Sequence, residues 1–362
     1  MAILQRVEKW WKHAIVYQIY PASFCDANGD GIDAPDESSV LSYVSARAKQ
    51  VDAVFHLDAV EVGWGTTHKF ETTVKNYTLP KFKEAIGRAQ QLLHGTDAWT
   101  TVFLENHDLA RSVSWLTNDE PEYRVYGSKM LALLQSCLSG TQYIYQGQEI
   151  GAINAPKHTY PFENYEDISS RLFMKMIQDR YGPNNKEEID KAFTALQHLA
   201  RDHARIPMAW NGHARYGGFS EEAEKAGFDI REPWMKPHPL ASDINVAIQL
   251  EDSDSVLSFW RQMLQLRKQH KDLLVYGDYQ CLDVDDPDIY TFVKETQDKS
   301  SQALIVLNFT TQEKPWMAPN VRDWECGGGV GGFVPIMTTY GGESCADKLA
   351  PFEGRLYLSI PK

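Results

Sequence analysis

The sequence predicts an α/β protein in two parts, with a parallel sheet and its helices over residues 1–274 and an antiparallel β domain over residues 275–362. Two observations predict this. Between residues 78 and 146, helix-like and strand-like segments alternate with loops of a few residues, which is the rhythm of a parallel sheet. From about residue 275, short β-rich segments between turn-rich stretches replace that rhythm.

Three segments of the first part have the character of buried strands. AIVYQIY (14–20) is an apolar, β-branched and aromatic run that stops at Pro21. TTVFL (100–104) and TQYIYQ (141–146) are similar short runs, and each follows a helical pattern. A less regular segment, VDAVFHLDAVEVG (51–63), is long enough for one further short strand.

Four segments have the periodicity of helices. In TLPKFKEAIGRAQQLL (78–93), apolar residues recur on one helical face and Thr78 can cap the first turn. YRVYGSKMLALLQSCL (123–138) is strongly apolar, which predicts a buried helix. Further helices are predicted over 187–203 and 254–270, and the latter has acidic residues at its start and basic residues at its end, as the helix dipole favours.

The C-terminal part contains the strand-like runs IYTFV (289–293), ALIVLNF (303–309) and GRLYLSI (354–360), with a glycine-rich loop before the last of them. These patterns predict an antiparallel sheet with its own core. The core residues predicted for it are Ile289, Phe292, Leu304, Val306 and Leu356.

Composition is that of an ordinary soluble globular protein, with 43% hydrophobic and 23% charged residues. The 36 basic and 49 acidic residues give a net charge of −13, which argues against nucleic acid as a partner because a phosphate backbone needs a basic surface. No apolar run approaches a membrane span, and the N-terminus lacks a secretion signal pattern. Five scattered cysteines without a CxxC pair predict a reducing, cytoplasmic compartment.

The strand at 100–104 runs directly into a polar cluster of Glu105, His107 and Asp108, followed by Arg111. Ligands of parallel α/β sheets bind at the carboxyl ends of strands. Asp108 beside His107 could bind neighbouring hydroxyls of a sugar, and its carboxylate could stabilise positive charge at an anomeric carbon. The alternative is that Asp108 only caps a helix, because Asp and Asn are common N-caps. The pattern alone leaves both interpretations open.

Several segments, in the same order along the chain, resemble the α-amylase superfamily of glycoside hydrolases, and in particular its maltases and oligo-1,6-glucosidases. These segments are WWKHAIVYQIYPASFCDANGDGI (10–32), FLENHDLARS (103–112), GTQYIYQGQEIG (140–151), RDHARIPMAW (201–210), REPWMKPHP (231–239) and DSDSVLSFWRQMLQLRKQHKDLLVYGDY (252–279). The resemblance covers nearly all of the chain.

The resemblance implies a (β/α)8 TIM-type barrel followed by an antiparallel β domain, in which the first and last barrel strands are neighbours. It therefore predicts that the strands near 14–20, 100–104 and 141–146 are adjacent and parallel. It also implies retaining hydrolysis of small α-glucosides such as maltose and isomaltose, carried out by an Asp nucleophile, a Glu acid/base and a second Asp that stabilises the transition state.

Carried over by motif, Asp108 is the transition-state stabiliser and His107 is a donor to a sugar hydroxyl. Arg111 and Arg205 are implied to bind substrate. Supporting residues near the site are implied at Gln146 and Glu149.

The sequence departs from the superfamily in its middle. The nucleophile belongs to a strand of the form G-F-R-x-D, and the acid/base to a strand that ends in G-E after small apolar residues; no segment here matches either. After Ile32 the chain passes within about ten residues to a stretch that resembles the region just after the acid/base strand. We therefore expect a partial barrel that retains the first and last strands and lacks strands two to five.

The loop DANGDGIDAPDE (26–37) has the alternating oxygen ligands of a hard-cation site at Asp26, Asn28 and Asp30. An EF-hand is disfavoured because no helix-like segment enters the loop. In the glucosidase group a similar loop holds calcium or magnesium, which implies Asp26, Asn28, Asp30 and Ile32 as ligands. Here Asp33 comes one residue too soon for the last ligand of that loop. A polar turn without metal is the alternative.

These observations lead to three hypotheses about function. The first is an α-glucosidase-like chain whose catalytic set is defective, so that it is inactive as it stands. The second is a non-catalytic sugar-binding or regulatory protein, and the third, a calcium-loop protein. We expect glucose or a small α-glucoside as the ligand and neither nucleic acid nor membrane as a partner. No cofactor is required, and the sequence does not predict an oligomeric state.

Overall fold

The structure of the chain is a computed structural model. The structure describes residues 8–18, 53, 55–65, 68–70, 77–91, 99–317, 333–341 and 347–359.

Three short strands form a parallel sheet, as predicted. They are β1 (Ile15–Gln18), β2 (Thr101–Val102) and β3 (Thr141–Tyr145), in the spatial order β1-β3-β2. Ile15 lies opposite Gln142 and Thr101 lies opposite Thr141 in the parallel register. Because the strands are parallel, their carboxyl ends lie along one edge, and the segments that follow them lie on one side of the sheet.

Helices make up a large part of the described chain before residue 275. In the described residues they are α1 (Leu79–Gln91), α2 (Ser112–Leu116), α3 (Arg124–Cys137), α4 (Ile168–Tyr181), α5 (Lys186–Leu199), α6 (Asp202–Arg205), α7 (Glu221–Lys225), α8 (Val246–Leu250), α9 (Val256–Gln269) and α10 (Lys271–Leu274). Short 3₁₀ turns occupy Asp58–Val60, Gln148–Ile150, Phe162–Asn164 and Arg215–Gly218.

The sequence allowed a further short strand over 51–63, but the structure shows none in the described part of this segment. Its described part contains the 3₁₀ turn Asp58–Val60 and no strand. The Phe55 ring packs edge-on against Phe103 and Tyr143, with ring centroids 5.3 and 4.9 Å apart. The segment therefore contributes an aromatic side chain to the sheet rather than another paired strand. The predicted absence of barrel strands two to five falls largely on residues outside the described ranges and stays a prediction.

Helix α3 lies at the centre of the molecule. Every residue from 127 to 137 is buried, because the helix packs against α9 and also contacts the C-terminal sheet. Its C-terminal end is closed by Arg267 of α9, whose guanidinium donates to the carbonyls of Ser136, Leu138 and Gly140 at 2.6–2.8 Å. A buried cation at a helix C-terminus satisfies carbonyls that have no partner within the helix.

The C-terminal strands form a five-stranded antiparallel sheet in the order β4-β5-β6-β10-β8, with a separate pair, β7-β9. The strands are β4 (Asp278–Cys281), β5 (Ile289–Glu295), β6 (Gln302–Asn308), β7 (Lys314–Pro315), β8 (Phe333–Thr338), β9 (Lys348–Leu349) and β10 (Gly354–Ser359). The antiparallel prediction is therefore confirmed for this sheet.

The five predicted core residues of this sheet are all buried, but they divide between its two faces. Phe292 and Leu356 join the large core that the helices share, whereas Ile289, Leu304 and Val306 belong to a smaller cluster on the other side. Side chains alternate between the faces of a strand, so a sheet covered on both sides buries consecutive residues. The prediction that the C-terminal sheet has a core entirely of its own is therefore wrong for the face that packs on the helices.

Lys83 links α1 to the C-terminal sheet. Its side chain is fully buried, and its ammonium group donates to the carbonyls of Asp283, Asp286 and Ile289 at 2.5–2.8 Å. It also lies 3.1 Å from the Asp283 carboxylate. The ammonium thus binds three oxygens of the loop before β5 and the carbonyl of the first residue of β5, and it fixes α1 to both.

Replacing Lys83 by Met should lower the free energy of unfolding by about 2–4 kcal/mol, because three carbonyls and a carboxylate would lose a buried partner. Urea denaturation of Lys83→Met measures this loss. Lys81→Met, the same change at an exposed position of α1, is the matched control and should cost well under about 1 kcal/mol. Equal losses in the two variants would contradict the role of the ammonium group.

Candidate active site

The candidate site lies beyond the carboxyl end of β2, in the turn that carries Asp108. The Asn106 side-chain oxygen accepts a hydrogen bond from the Asp108 backbone N–H at 2.8 Å, which forms an Asx-type turn. The Asp108 side chain is 45% exposed, and Asp108 is not the N-cap of α2, which is Arg111. The helix-cap interpretation of Asp108 is therefore wrong.

Two arginines bind one oxygen of the Asp108 carboxylate. Oδ1 accepts from Arg201 Nη1 at 2.9 Å and from Arg205 Nη2 at 2.7 Å. The other oxygen, Oδ2, lies 3.3 Å from His107 Nε2. Arg205 Nε also donates to the backbone carbonyl of His107 at 2.9 Å, so both residues of the turn are held from the same side.

Sequence reasoning missed Arg201 because it predicted one helix over 187–203. The structure ends α5 at Leu199, makes Ala200 extended (φ −66°, ψ 133°) and begins α6 at Asp202. This break brings Arg201 and Arg205 to the same carboxylate. A sequence signal existed, since two arginines four residues apart share a face on a helical turn.

Lys69 is a second missed residue. Its Nζ donates to the backbone carbonyl of Asp108 at 3.0 Å and lies 4.5 Å from the centre of the Trp64 ring. Burial, together with the nearby Arg201 charge, lowers the pKa of Lys69 to about 8. The Asp108 turn is thus surrounded by cationic side chains that hold its backbone and one carboxylate oxygen.

Arg111 lies beneath this turn. Its side chain is 4% exposed and pairs with Glu105, 1% exposed, at 3.0 Å; it also donates to the Gln146 carbonyl at 2.7 Å. Gly147 leaves room for the guanidinium, since a Cβ there would lie 2.9 Å from Arg111 Nη2. The resemblance implied that Arg111 binds substrate, whereas this geometry assigns it to holding the turn against β3.

The implied supporting residues Gln146 and Glu149 connect β3 to β1. The Gln146 backbone N–H donates to the Gln18 carbonyl at 2.9 Å. Glu149 Oε1 accepts from the Tyr17 hydroxyl at 2.5 Å, while its Oε2 is buried without a hydrogen-bond partner. Burial raises the pKa of Glu149. Both residues thus join the strands of the parallel sheet.

The predicted cation loop at Asp26, Asn28, Asp30 and Ile32 lies outside the described residues, and a metal there stays a prediction. Within the described ranges, no group of three or more His, Cys, Asp or Glu side chains could hold a metal ion. Among the same residues, no helix is both long enough and apolar enough to cross a bilayer.

Comparison with known proteins shows the family of the chain and supports its fold. The sequence matches the family model "Alpha amylase, catalytic domain" over residues 32–277. An α-glucosidase of Candida albicans is 39% identical over 320 residues, which cover 88% of this chain and 52% of that protein. An oligo-1,6-glucosidase of Saccharomyces cerevisiae is 34% identical over 335 residues, which cover 91% and 53% of the two chains.

The solved structure of trehalulose synthase MutB from Pseudomonas mesoacidophila has a similar fold, with a TM-score of 0.72, 24% identity, and coverage of 88% of this chain and 52% of that one. Variants of MutB have been crystallised with sucrose and with glucose. The chain belongs to the α-amylase family of glycoside hydrolases. It spans about half the length of the curated relatives that it matches.

Two histidines, the buried His203 and the half-buried His238, lie beside Arg111. His203 Nδ1 accepts from the Ala155 backbone N–H at 3.2 Å, and its Nε2 lies 2.9 Å from the Gln197 carbonyl. These partners require the neutral ring with its proton on Nε2, because a second ring proton would oppose the Ala155 N–H. Burial lowers the pKa of His203 to about 3 and that of His238 to about 4.

The unfolded chain binds a proton at each of these histidines near pH 6.5, whereas the folded chain binds it only near pH 3–4. The contribution of each histidine to the free energy of unfolding is therefore fully present above pH 6.5. It falls as the pH decreases, and about 2 kcal/mol per histidine is lost at pH 5. In His203→Gln, the decrease in unfolding free energy between pH 7.5 and 5.0 should be smaller by about 2 kcal/mol. Urea denaturation at both pH values tests this, with His213→Gln at an exposed position as control.

Proposed function

We propose that this chain binds glucose or a small α-glucoside through Asp108 and His107 and does not hydrolyse glycosidic bonds by itself. The observation that carries the proposal is the state of Asp108. It is exposed, its Oδ1 is occupied by two arginines, and its Oδ2 lies beside His107. A carboxylate oxygen and an imidazole at this separation suit two neighbouring hydroxyls of one sugar ring.

The charges around Asp108 support a role for its carboxylate in binding a sugar rather than in nucleophilic attack on a glycosidic bond. Two guanidinium groups share its Oδ1 and balance its negative charge, so the carboxylate is held as a hydrogen-bond acceptor. Charge-assisted hydrogen bonds to a hydroxyl gain in specificity when the acceptor has a fixed orientation. The names of the relatives, α-glucosidase and oligo-1,6-glucosidase, support α-glucosides as the ligand class.

The chemistry of the family supports the absence of hydrolysis. A retaining glycosidase needs two carboxyl groups about 5–5.5 Å apart, one as nucleophile and one as proton donor. The sequence has no segment that matches either motif. The neighbouring carboxylate of Glu105 is buried and bound to Arg111 and Ser112, so it is not available as a substitute.

A second candidate function is hydrolysis with Glu61 or Asp58 as a recruited second carboxylate. One observation favours Glu61: burial and the charge of Asp58 raise its pKa, as a general acid requires. Glu61 also interacts electrostatically with Lys69, which contacts the Asp108 backbone. Asp58 is a weaker candidate, because it pairs with Arg88 at 2.9 Å on the surface.

The purified chain should bind glucose with a millimolar dissociation constant, and Asp108→Asn should weaken binding roughly tenfold or more through loss of a charge-assisted hydrogen bond. Saturation-transfer NMR or calorimetry measures the affinity. Asp190→Asn, which removes an exposed carboxylate paired with Lys157, is the control and should bind as the wild type does.

The same protein should release glucose from maltose and isomaltose no faster than buffer. Turnover that is lost in both Asp108→Asn and Glu61→Gln would support the second candidate and overturn the proposal of inactivity. Turnover that survives Asp108→Asn would come from a contaminating enzyme. Absence of glucose binding in the wild type would refute the binding function itself.

A further inference from the structure

Asp167 is a buried carboxylate that contacts both arginines of the site. Its side chain is 2% exposed, and its Oδ2 accepts from Arg201 Nε at 2.5 Å and from Arg205 Nη1 at 2.9 Å. Its Oδ1 accepts from the Ser169 N–H at 2.8 Å, which caps the N-terminus of α4. Each arginine therefore joins an exposed carboxylate, Asp108, to a buried one.

The backbone that carries Asp167 is itself fixed by a second buried carboxylate. Asp202, 1% exposed, accepts from the backbone N–H groups of Glu166 and Asp167 at 2.8 Å through Oδ1. Its Oδ2 accepts from the Ser170 hydroxyl at 2.6 Å. These bonds hold the start of α4 against α6, so the distance between Asp167 and the arginines cannot easily change.

The arrangement has a consequence for the oxygen that Asp108 presents. Guanidinium groups pair most strongly with carboxylates through two parallel hydrogen bonds that use both oxygens. In this structure each guanidinium divides its donors between Asp167 Oδ2 and Asp108 Oδ1 instead. Asp108 Oδ2 therefore lies next to His107, and neither guanidinium group binds it.

We propose that Asp167 is a positioning residue of the glucoside site, which holds Arg201 and Arg205 so that both bind Asp108 Oδ1 and leave Oδ2 for a ligand hydroxyl. The inference rests on the proposed binding function and adds a residue that contacts no ligand. Without the Asp167 charge, the arginines pair with both oxygens of Asp108 and occupy the position of the hydroxyl.

The direction of the Asp167 pKa shift is consistent with a negatively charged side chain. Burial by itself raises the pKa of this carboxyl, but the hydrogen bond and charge of Arg201 outweigh burial and lower it. The carboxylate is thus ionised at neutral pH, and the pair of arginines faces one negative charge on each side.

Two substitutions separate positioning from helix capping. Asp167→Ser retains an N-cap oxygen for Ser169 but is too short to bind the arginines. Asp167→Asn retains the shape and removes the charge, and it serves as the second variant if Asp167→Ser does not fold. Asp179→Asn, an exposed acid of the same helix that pairs with Lys175, is the control.

Glucose affinity should decrease about tenfold in Asp167→Ser and Asp167→Asn, and it should be unchanged in Asp179→Asn. In an Asp108→Asn background, the Asp167 substitutions should cause no further loss, because they act through Asp108. A folded Asp167→Ser protein with wild-type affinity would overturn the inference. So would an equal tenfold loss in the Asp108→Asn background, which would place the effect elsewhere.

A ligand-free measurement separates this inference from the binding function. Long-range ¹H–¹⁵N NMR of the histidine side chains reports on His107, whose Nε2 lies next to Asp108 Oδ2. The His107 ring signals should shift in Asp167→Ser and Asp167→Asn but not in Asp179→Asn, even if the wild type binds no glucose. Unshifted His107 signals in both Asp167 variants would overturn the positioning role.

Discussion

Buried positive charge requires partners, and this requirement links distant segments of the described chain. A buried cation without hydrogen bonds costs several kcal/mol, so each one must bind oxygens from whatever segments surround it. Lys83 binds the loop before β5, Arg267 binds the end of α3, and Arg111 binds Glu105 and the carbonyl after β3. Each of these cations joins segments that are far apart in sequence.

The charged residues of the site are also paired with one another, and their exposure to solvent increases from the interior to the surface. Arg111 and Glu105 are fully buried beneath the turn, Asp167 is buried behind it, and Arg201 and Arg205 are partly exposed between the two. Asp108 is the most exposed member of this set. Charge is therefore balanced from the buried groups outwards, and the outermost carboxylate is oriented by groups that are less exposed than it is.

The two sheets also depend on each other. The helices between them form one large core that includes Phe292 and Leu356 of the C-terminal sheet, and the second face of that sheet is closed by a smaller cluster around Leu304. The chain spans about half the length of its relatives, yet this contact between helices and C-terminal sheet is extensive among the described residues. It gives the parallel strands and the Asp108 turn a fixed base.

The sequence by itself determined many of the local elements and the family, although it did not predict α4. Apolar runs between loops predicted the parallel strands, and helical periodicity predicted α1, α3 and α9 to within a few residues. The motif around Asp108 was recognisable because its residues are consecutive. These features depend on neighbours in the chain, so their patterns are readable without coordinates.

The tertiary structure alone decided which side chains meet. The break of the predicted helix at Ala200 brings Arg201 to Asp108, 93 residues away. The spacing of Arg201 and Arg205 indicates a shared face, but it does not indicate which carboxylate the two arginines bind. Arg111, expected at the ligand, is instead buried against Glu105, and Asp167 was not anticipated at all. The physical reason is that ion pairs form wherever burial brings opposite charges together, and burial depends on packing between distant segments rather than on local sequence.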